Sequence, residues 1–237
     1  MIDFHCHILP GVDDGAADVK MSLAMLRQSF LQGVDLMVST CHFYANEEYP
    51  QTFLDRRNRA FRELNEAMLL STKVYPRITL GAEVLYFPGI SQAEGMERLK
   101  IGASRSILIE PPMMAWSDEM LDEIVRLGEN VNCTPVIAHV DRYMTYLKDE
   151  TLMDRVRSRG LTVQVNGSYF LNPKTRKAAV RHLKNGDIQL LGSDCHNLDT
   201  RAPNLGEVSR QMRAMGLETE FKKLHQNAAD LLLRRGG

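Results

Sequence analysis

The chain has 237 residues, 44% of them hydrophobic and 25% charged, with a net charge of −1. That length suits one barrel-sized α/β domain, and the near-neutral balance argues against a nucleic-acid-binding protein, which carries a basic excess. There is no apolar run of about 18 residues to span a membrane and no leader before Met1, and the cysteine usage suits a reducing compartment; the expectation is a cytoplasmic protein without membrane insertion.

The first predicted strand is Ile2–His5, continuing into Cys6-His7. Residues i and i+2 of a strand share a side, so His5 and His7 can hold one cation together. The loop Gly11-Val12-Asp13-Asp14-Gly15 follows with two carboxylates. A helix is predicted near Val19–Gln32, then a strand Leu36–Thr40 that runs into Cys41-His42. Next come a helix Thr52–Leu70, strands Ile78–Glu83 and Ser106–Glu110, a helix Asp118–Glu129 and a strand Pro135–His139. Helix Glu150–Arg159, strand Thr162–Asn166, helix Pro173–Lys184 and strand Gln189–Asp194 continue the alternation, and helices near Leu205–Met215 and Glu218–Leu233 close it. Gly33, Gly128, Gly160, Gly186 and Gly216 fall where helix C-termini are expected.

Strands alternating with helices imply parallel pairing, hence a barrel or a doubly wound sheet. A doubly wound sheet usually carries a glycine-rich phosphate loop at one switch point. No such motif occurs, and polar residues end many different strands instead, which favours the barrel. Without a linker or internal repeat, residues 1–237 read as a single domain.

Most predicted strands end in metal-ligand residue types. His5 and His7 end the first, His42 follows the second, and Glu83 and Glu110 end the next two. His139 ends the fifth, and Asp194 and His196 follow the last, so five of the seven histidines lie at strand ends. A mixed nitrogen and oxygen set suits Zn, Mn or Fe and lacks the thiolate bias of structural zinc. Asp14, Glu83, Glu110 and Asp194 in one pocket would repel one another unless several cations neutralised them.

HxH at the start, the DDG loop, a central GAE, HVDRY at 139–143 and SDCHN at 193–197 together resemble the PHP (polymerase and histidinol phosphatase) superfamily. Within it the chain is similar to bacterial capsule-locus protein-tyrosine phosphatases, which regulate exopolysaccharide synthesis. The resemblance implies a distorted (β/α)7 TIM-like barrel with a trinuclear site of divalent metals, often manganese, with Fe or Zn also compatible. It implies that His5, His7, Glu83 and Asp194 hold one ion; that Glu83 bridges to a second held by Glu110 and His139; and that Asp14, His42 and His196 hold a third. Arg142 and Arg201 match the family's phosphate-contacting arginines, and a guanidinium fork suits phosphate. The implied reaction is hydrolysis of phosphotyrosine by metal-activated water without a phosphoenzyme. The implied partner is the tyrosine-rich tail of a bacterial tyrosine kinase. The oligomeric state is left open.

Phe43-Tyr44 stand where this family often has a further His or basic residue, offering either an aromatic wall for a phenyl ring or ordinary packing. Cys195 to Arg201 also fits C-x5-R, the spacing of cysteine-dependent phosphatases, but Asp194 beside the thiol and Leu198-Asp199 inside the loop suit that chemistry poorly. Tyr86, Tyr143, Tyr169 and Phe170 are either pocket or rim packing, Met113-Met114 with Trp116 is either a mobile apolar loop over the rim or a contact surface, and Arg56-Arg57-Asn58-Arg59 is either a solvated helix face or a dock for an acidic tail or a neighbouring subunit. Two other functions remain: a PHP phosphatase of a small phosphomonoester such as histidinol phosphate, and an idle, metal-stabilised regulatory subunit that binds a kinase.

Overall fold

The computed structural model describes residues 1–147, 149 and 151–233. Among the described residues, nine parallel strands, β1 (Ile2–Cys6), β2 (Leu36–Ser39), β3 (His42–Phe43), β4 (Arg77–Leu80), β5 (Glu83–Leu85), β6 (Ser106–Glu110), β7 (Thr134–Ile137), β8 (Thr162–Asn166) and β9 (Leu190–Gly192), form two sheets ordered β1-β2-β4 and β3-β5-β6-β7-β8-β9. β2 with β3, and β4 with β5, are interrupted single strands, so the segments fill the seven expected positions. The ring closes between β9 and β1, where Asp194 N donates to the His5 carbonyl at 2.8 Å and His7 N to the Cys195 carbonyl at 2.9 Å.

The helices are α1 (Val19–Leu31), α2 (Pro50–Leu69), α3 (Asp118–Asn130), α4 (Val140–Leu147), α5 (Leu152–Ser158), α6 (Ser168–Leu171), α7 (Arg176–Lys184), α8 (Leu205–Ala214) and α9 (Glu218–Leu233). Local chemistry sets several starts. Asp18 caps α1 through Met21 N, Ser117 caps α3 through Met120 N, and Pro50 opens α2. α4 and α6 were not anticipated. The helix expected at Glu150–Arg159 is observed as α5, with Glu150 itself outside the described residues. Four of the five glycines expected at helix ends have positive φ, but Gly128 lies inside α3. A Cβ there would sit 3.0 Å from the Pro135 ring, so this glycine permits close approach of α3 to β7.

Two strand interruptions position the site. Gly81 turns the chain between β4 and β5, where a Cβ would meet Ile101 at 2.8 Å, and the Arg57 guanidinium donates to the Gly81 carbonyl at 2.8 Å. Arg57 is therefore a buried brace rather than part of a solvated face. Beyond the break, β3 pairs with β5 so that His42 stands in register with Glu83. In β1 the register to β2 slips by one residue between Asp3 and Cys6, a bulge just where His5 lies. Phe4, Val38, Leu108, Val136 and Leu190, from five strands, pack with Ala228 and Leu231 of α9 in one buried cluster. Glu110 lies two residues beyond Leu108 and shares its face of β6, so the polar site sits above this apolar cluster at the C-terminal ends of the strands.

Candidate metal centre

His5 and His7 come from the first strand and the turn after it, and both rings are fully buried. Their Nε2 atoms lie 3.0 Å apart, and Glu83 Oε2 is 3.0 Å from His5 Nε2 and 3.1 Å from His7 Nε2. The opposite ring nitrogens are already committed: His5 Nδ1 lies 3.2 Å from Gln164 Oε1, and His7 Nδ1 lies 2.8 Å from Asp13 Oδ2. Both partners are acceptors, so each Nδ1 carries the proton and each Nε2 presents a lone pair. Two bare nitrogens and a carboxylate oxygen thus converge, an arrangement that requires positive charge between them. The same field acts on His7: burial lowers its pKa, but Asp13 and Glu83 outweigh burial and raise it well above the usual histidine range. In a neutral pair of rings, a cation supplies that charge.

The remaining expected residues adjoin this trio. His139 Nε2 lies 2.8 Å from Glu83 Oε1 and 3.4 Å from Glu110 Oε1. His42 turns Nδ1 toward Glu83 Oε2 at 3.3 Å and Glu110 Oε2 at 3.6 Å, and Nε2 toward Asp14 Oδ1 at 3.5 Å. His196 Nε2 is 3.2 Å from the same Asp14 oxygen, with its ring stacked 3.8 Å from that of His7. His42 Nδ1 and His196 Nε2 are buried without a hydrogen-bond partner, which in a folded protein is costly unless something else satisfies them. Burial pulls His196 down to about 3, so its ring is neutral and offers a nitrogen lone pair rather than a positive charge.

All nine expected ligands therefore meet at one end of the barrel. Three overlapping groups place their donor atoms within 4.8 Å: His5-His7-Glu83, His42-Glu83-Glu110 and His7-Asp14-His42-His196. Asp194 is more distant, with Oδ1 3.6 Å from Nε2 of both His5 and His7. Its carboxylate is gripped instead by Arg142 through Oδ2, by Arg201 Nη2 at 2.8 Å through Oδ1, and by Asn166 Nδ2 at 2.8 Å. Two of the three non-glycine residues with positive φ among those described are His139 (φ 30°) and Asp194 (φ 53°). Such backbone strain clusters at functional sites.

Two contributors were not singled out from the sequence. Asp13, beside the expected Asp14, orients His7 and also accepts from His42 N at 3.0 Å and Gly15 N at 3.0 Å. Gln164 accepts from His5 Nδ1 and from His139 N at 2.7 Å. Its position two residues before Asn166 on β8 was the available signal.

Other flagged residues sort differently. Cys6, Cys41 and Cys195 are fully buried, and burial pushes the Cys6 and Cys41 thiols well up. Phe43 packs edge-on against Phe53 at 5.4 Å, and Tyr143, Tyr169 and Phe170 are buried core. Trp116 is buried against Tyr143, while Met113 and Met114 of the same loop are exposed.

A parallel barrel whose strand ends gather histidines and carboxylates, with two guanidinium groups at the rim, defines a histidine–carboxylate metallohydrolase class. Residues 1–234 match the family described as "Capsular polysaccharide synthesis, CpsB/CapC", and the chain belongs to it. It is 32% identical to the tyrosine-protein phosphatase CpsB of Streptococcus pneumoniae, an alignment covering 88% of each chain. It is 28% identical to the tyrosine-protein phosphatase CpsB of Streptococcus agalactiae serotype III, covering 98% of each. Its fold superposes with a TM-score of 0.87, at 24% identity over 100% of this chain and 96% of the other, on a chain from the study of Bacillus subtilis YwqE and S. pneumoniae CpsB, described as "unique metal-dependent tyrosine phosphatases". The sequence resemblance to capsule-locus phosphatases and the expected barrel are both borne out.

Proposed function

We propose that this chain is a metal-dependent protein-tyrosine phosphatase, a single PHP-type domain that uses water as the nucleophile. The convergence of bare His5 and His7 nitrogens on Glu83 carries the reading, and the curated relatives named as tyrosine-protein phosphatases support it. The donor set fits three divalent ions, manganese above all, with Fe or Zn compatible. His5, His7, Glu83 and Asp194 would hold one, Glu83, Glu110 and His139 a second, and Asp14, His42 and His196 a third. When bound, such ions polarise phosphoryl oxygens and lower the pKa of a water nucleophile.

The chain's own groups do the rest. Gln164 and Asp13 fix the His5 and His7 rings with Nε2 turned inward. Arg142 and Arg201 are each about one-third exposed, at 34% and 33%, so a phosphate dianion arriving from solvent can exchange with Asp194 for their forks. In that position they orient the phosphoryl group and balance charge developing on its oxygens. A tyrosine phenolate, with a pKa of about 10, departs with little protonation. The substrate is the tyrosine-rich tail of a bacterial tyrosine kinase in the cytoplasm, through which the enzyme regulates capsular and exopolysaccharide synthesis. The test is phosphate release by the manganese-loaded protein from a phosphotyrosyl peptide and from histidinol phosphate. Preference for the peptide is expected; preference for histidinol phosphate, or no release from either, would overturn the reading.

A further inference from the structure

Beside the centre lies a cavity of about 420 Å³, bounded on the inner side by Asp14 and His42 and walled by Val12, Tyr44, Glu48 and Arg56. Tyr44 is half-buried, and its ring lies nearly parallel to that of His42, with centroids 5.4 Å apart and planes 16° from one another. The aromatic group is thus held at the edge of the ligand cluster without belonging to it. Its neighbour Phe43 points the other way, into the core against Phe53, so the dipeptide divides its work between packing and the cavity.

The cavity is braced. Arg56, on α2, donates to the Val12 carbonyl and to the Glu48 carboxylate. It therefore ties the loop that carries Asp13 and Asp14 to the loop that carries Tyr44. An aromatic wall needs a fixed position to discriminate between flat and flexible groups, because offset stacking depends on geometry. The rest of the lining is Val12 and the carboxylates Asp13, Asp14, Glu47 and Glu48. Phosphate would be repelled by these carboxylates, and the Arg56 guanidinium that lines the cavity is already engaged by Glu48 and Val12. The space suits the organic part of a substrate whose phosphoryl group lies at the adjoining ligand cluster.

We propose that Tyr44 is a specificity-determining residue that selects aryl over alkyl phosphates by stacking on the phenyl ring of the leaving group. The assignment rests on the phosphatase reading above and adds to it the residue that recognises the aromatic ring. The ring of Tyr44, not its hydroxyl, is the recognising element.

The test uses manganese-loaded protein as wild type, Tyr44→Ala and Tyr44→Phe. Calorimetry measures binding of phenylphosphonate and methylphosphonate, and steady-state kinetics measures hydrolysis of phenyl phosphate. Tyr44→Ala should weaken phenylphosphonate about ten-fold and methylphosphonate by less than three-fold, and should raise KM for phenyl phosphate about ten-fold with kcat changed much less. Tyr44→Phe should restore wild-type values. Equal losses on both phosphonates, no loss on phenylphosphonate, or failure of Tyr44→Phe to restore would overturn the proposal. Wild-type protein that binds phenylphosphonate selectively through Tyr44, yet releases no phosphate from phosphotyrosine, would contradict the phosphatase reading and leave the aryl selector standing.

Discussion

Asp13 Oδ2 lies 2.8 Å from His7 Nδ1 and 3.0 Å from the His42 backbone N, so one carboxylate orients two of the candidate ligands. Such outer partners fix tautomer and ring direction, and their loss commonly costs about 10- to 100-fold in metal affinity. Asp13→Ala should weaken manganese binding by that factor in a titration followed by electron paramagnetic resonance. An unchanged dissociation constant would remove Asp13 from the support of the site.

Arg201 and Arg142 hold the two oxygens of Asp194. Arg201→Ala should lower kcat/KM for a phosphotyrosyl peptide by about 100-fold, in line with losing one preorganised donor to transition-state charge. Metal content, measured by atomic emission, should stay at the wild-type level. Unchanged kinetics would place Arg201 outside the site.

Cys195 is fully buried despite its C-x5-R spacing to Arg201. Cys195→Ser should keep most of the activity, and iodoacetamide should not inactivate the folded enzyme. Complete loss in the serine variant with metal retained would revive a thiolate mechanism.

His225 of α9 accepts from Ile2 N at 3.1 Å, and burial, followed by the N-terminal ammonium, pushes it down from 6.5 to about 4. The unfolded chain binds this proton below about pH 6.5 and the folded one only below about 4. Stability from this group is therefore complete above pH 6.5 and is lost as pH falls toward 4, by about 3 kcal/mol at most. Urea midpoints for wild type and His225→Gln should diverge across that window, the wild type losing more on acidification. Parallel curves would contradict the assignment.

The strand-end histidines were legible because each follows a short apolar run that reads as a buried parallel strand. Leu36–Thr40 and Ile78–Glu83 showed no such sign of interruption. The break at Gly81-Ala82 coincides with the Arg57 bond to the Gly81 carbonyl and the fit of Gly81 under Ile101, contacts distant in sequence. The same limit hid α4, which starts at Val140 directly after the positive-φ His139. Gln164 escaped notice because a lone glutamine in a strand carries no metal-ligand signature, and its role exists only where β8 meets His5 and the His139 amide.

The proposed mechanism requires that the strand ends bind a cluster of divalent ions. Anomalous diffraction above and below the manganese absorption edge, on crystals grown with manganese, would locate each ion. Three edge-dependent peaks are predicted, among His5-His7-Glu83-Asp194, Glu83-Glu110-His139 and Asp14-His42-His196. A pocket with no manganese peak at saturating metal would overturn the metal-dependent mechanism.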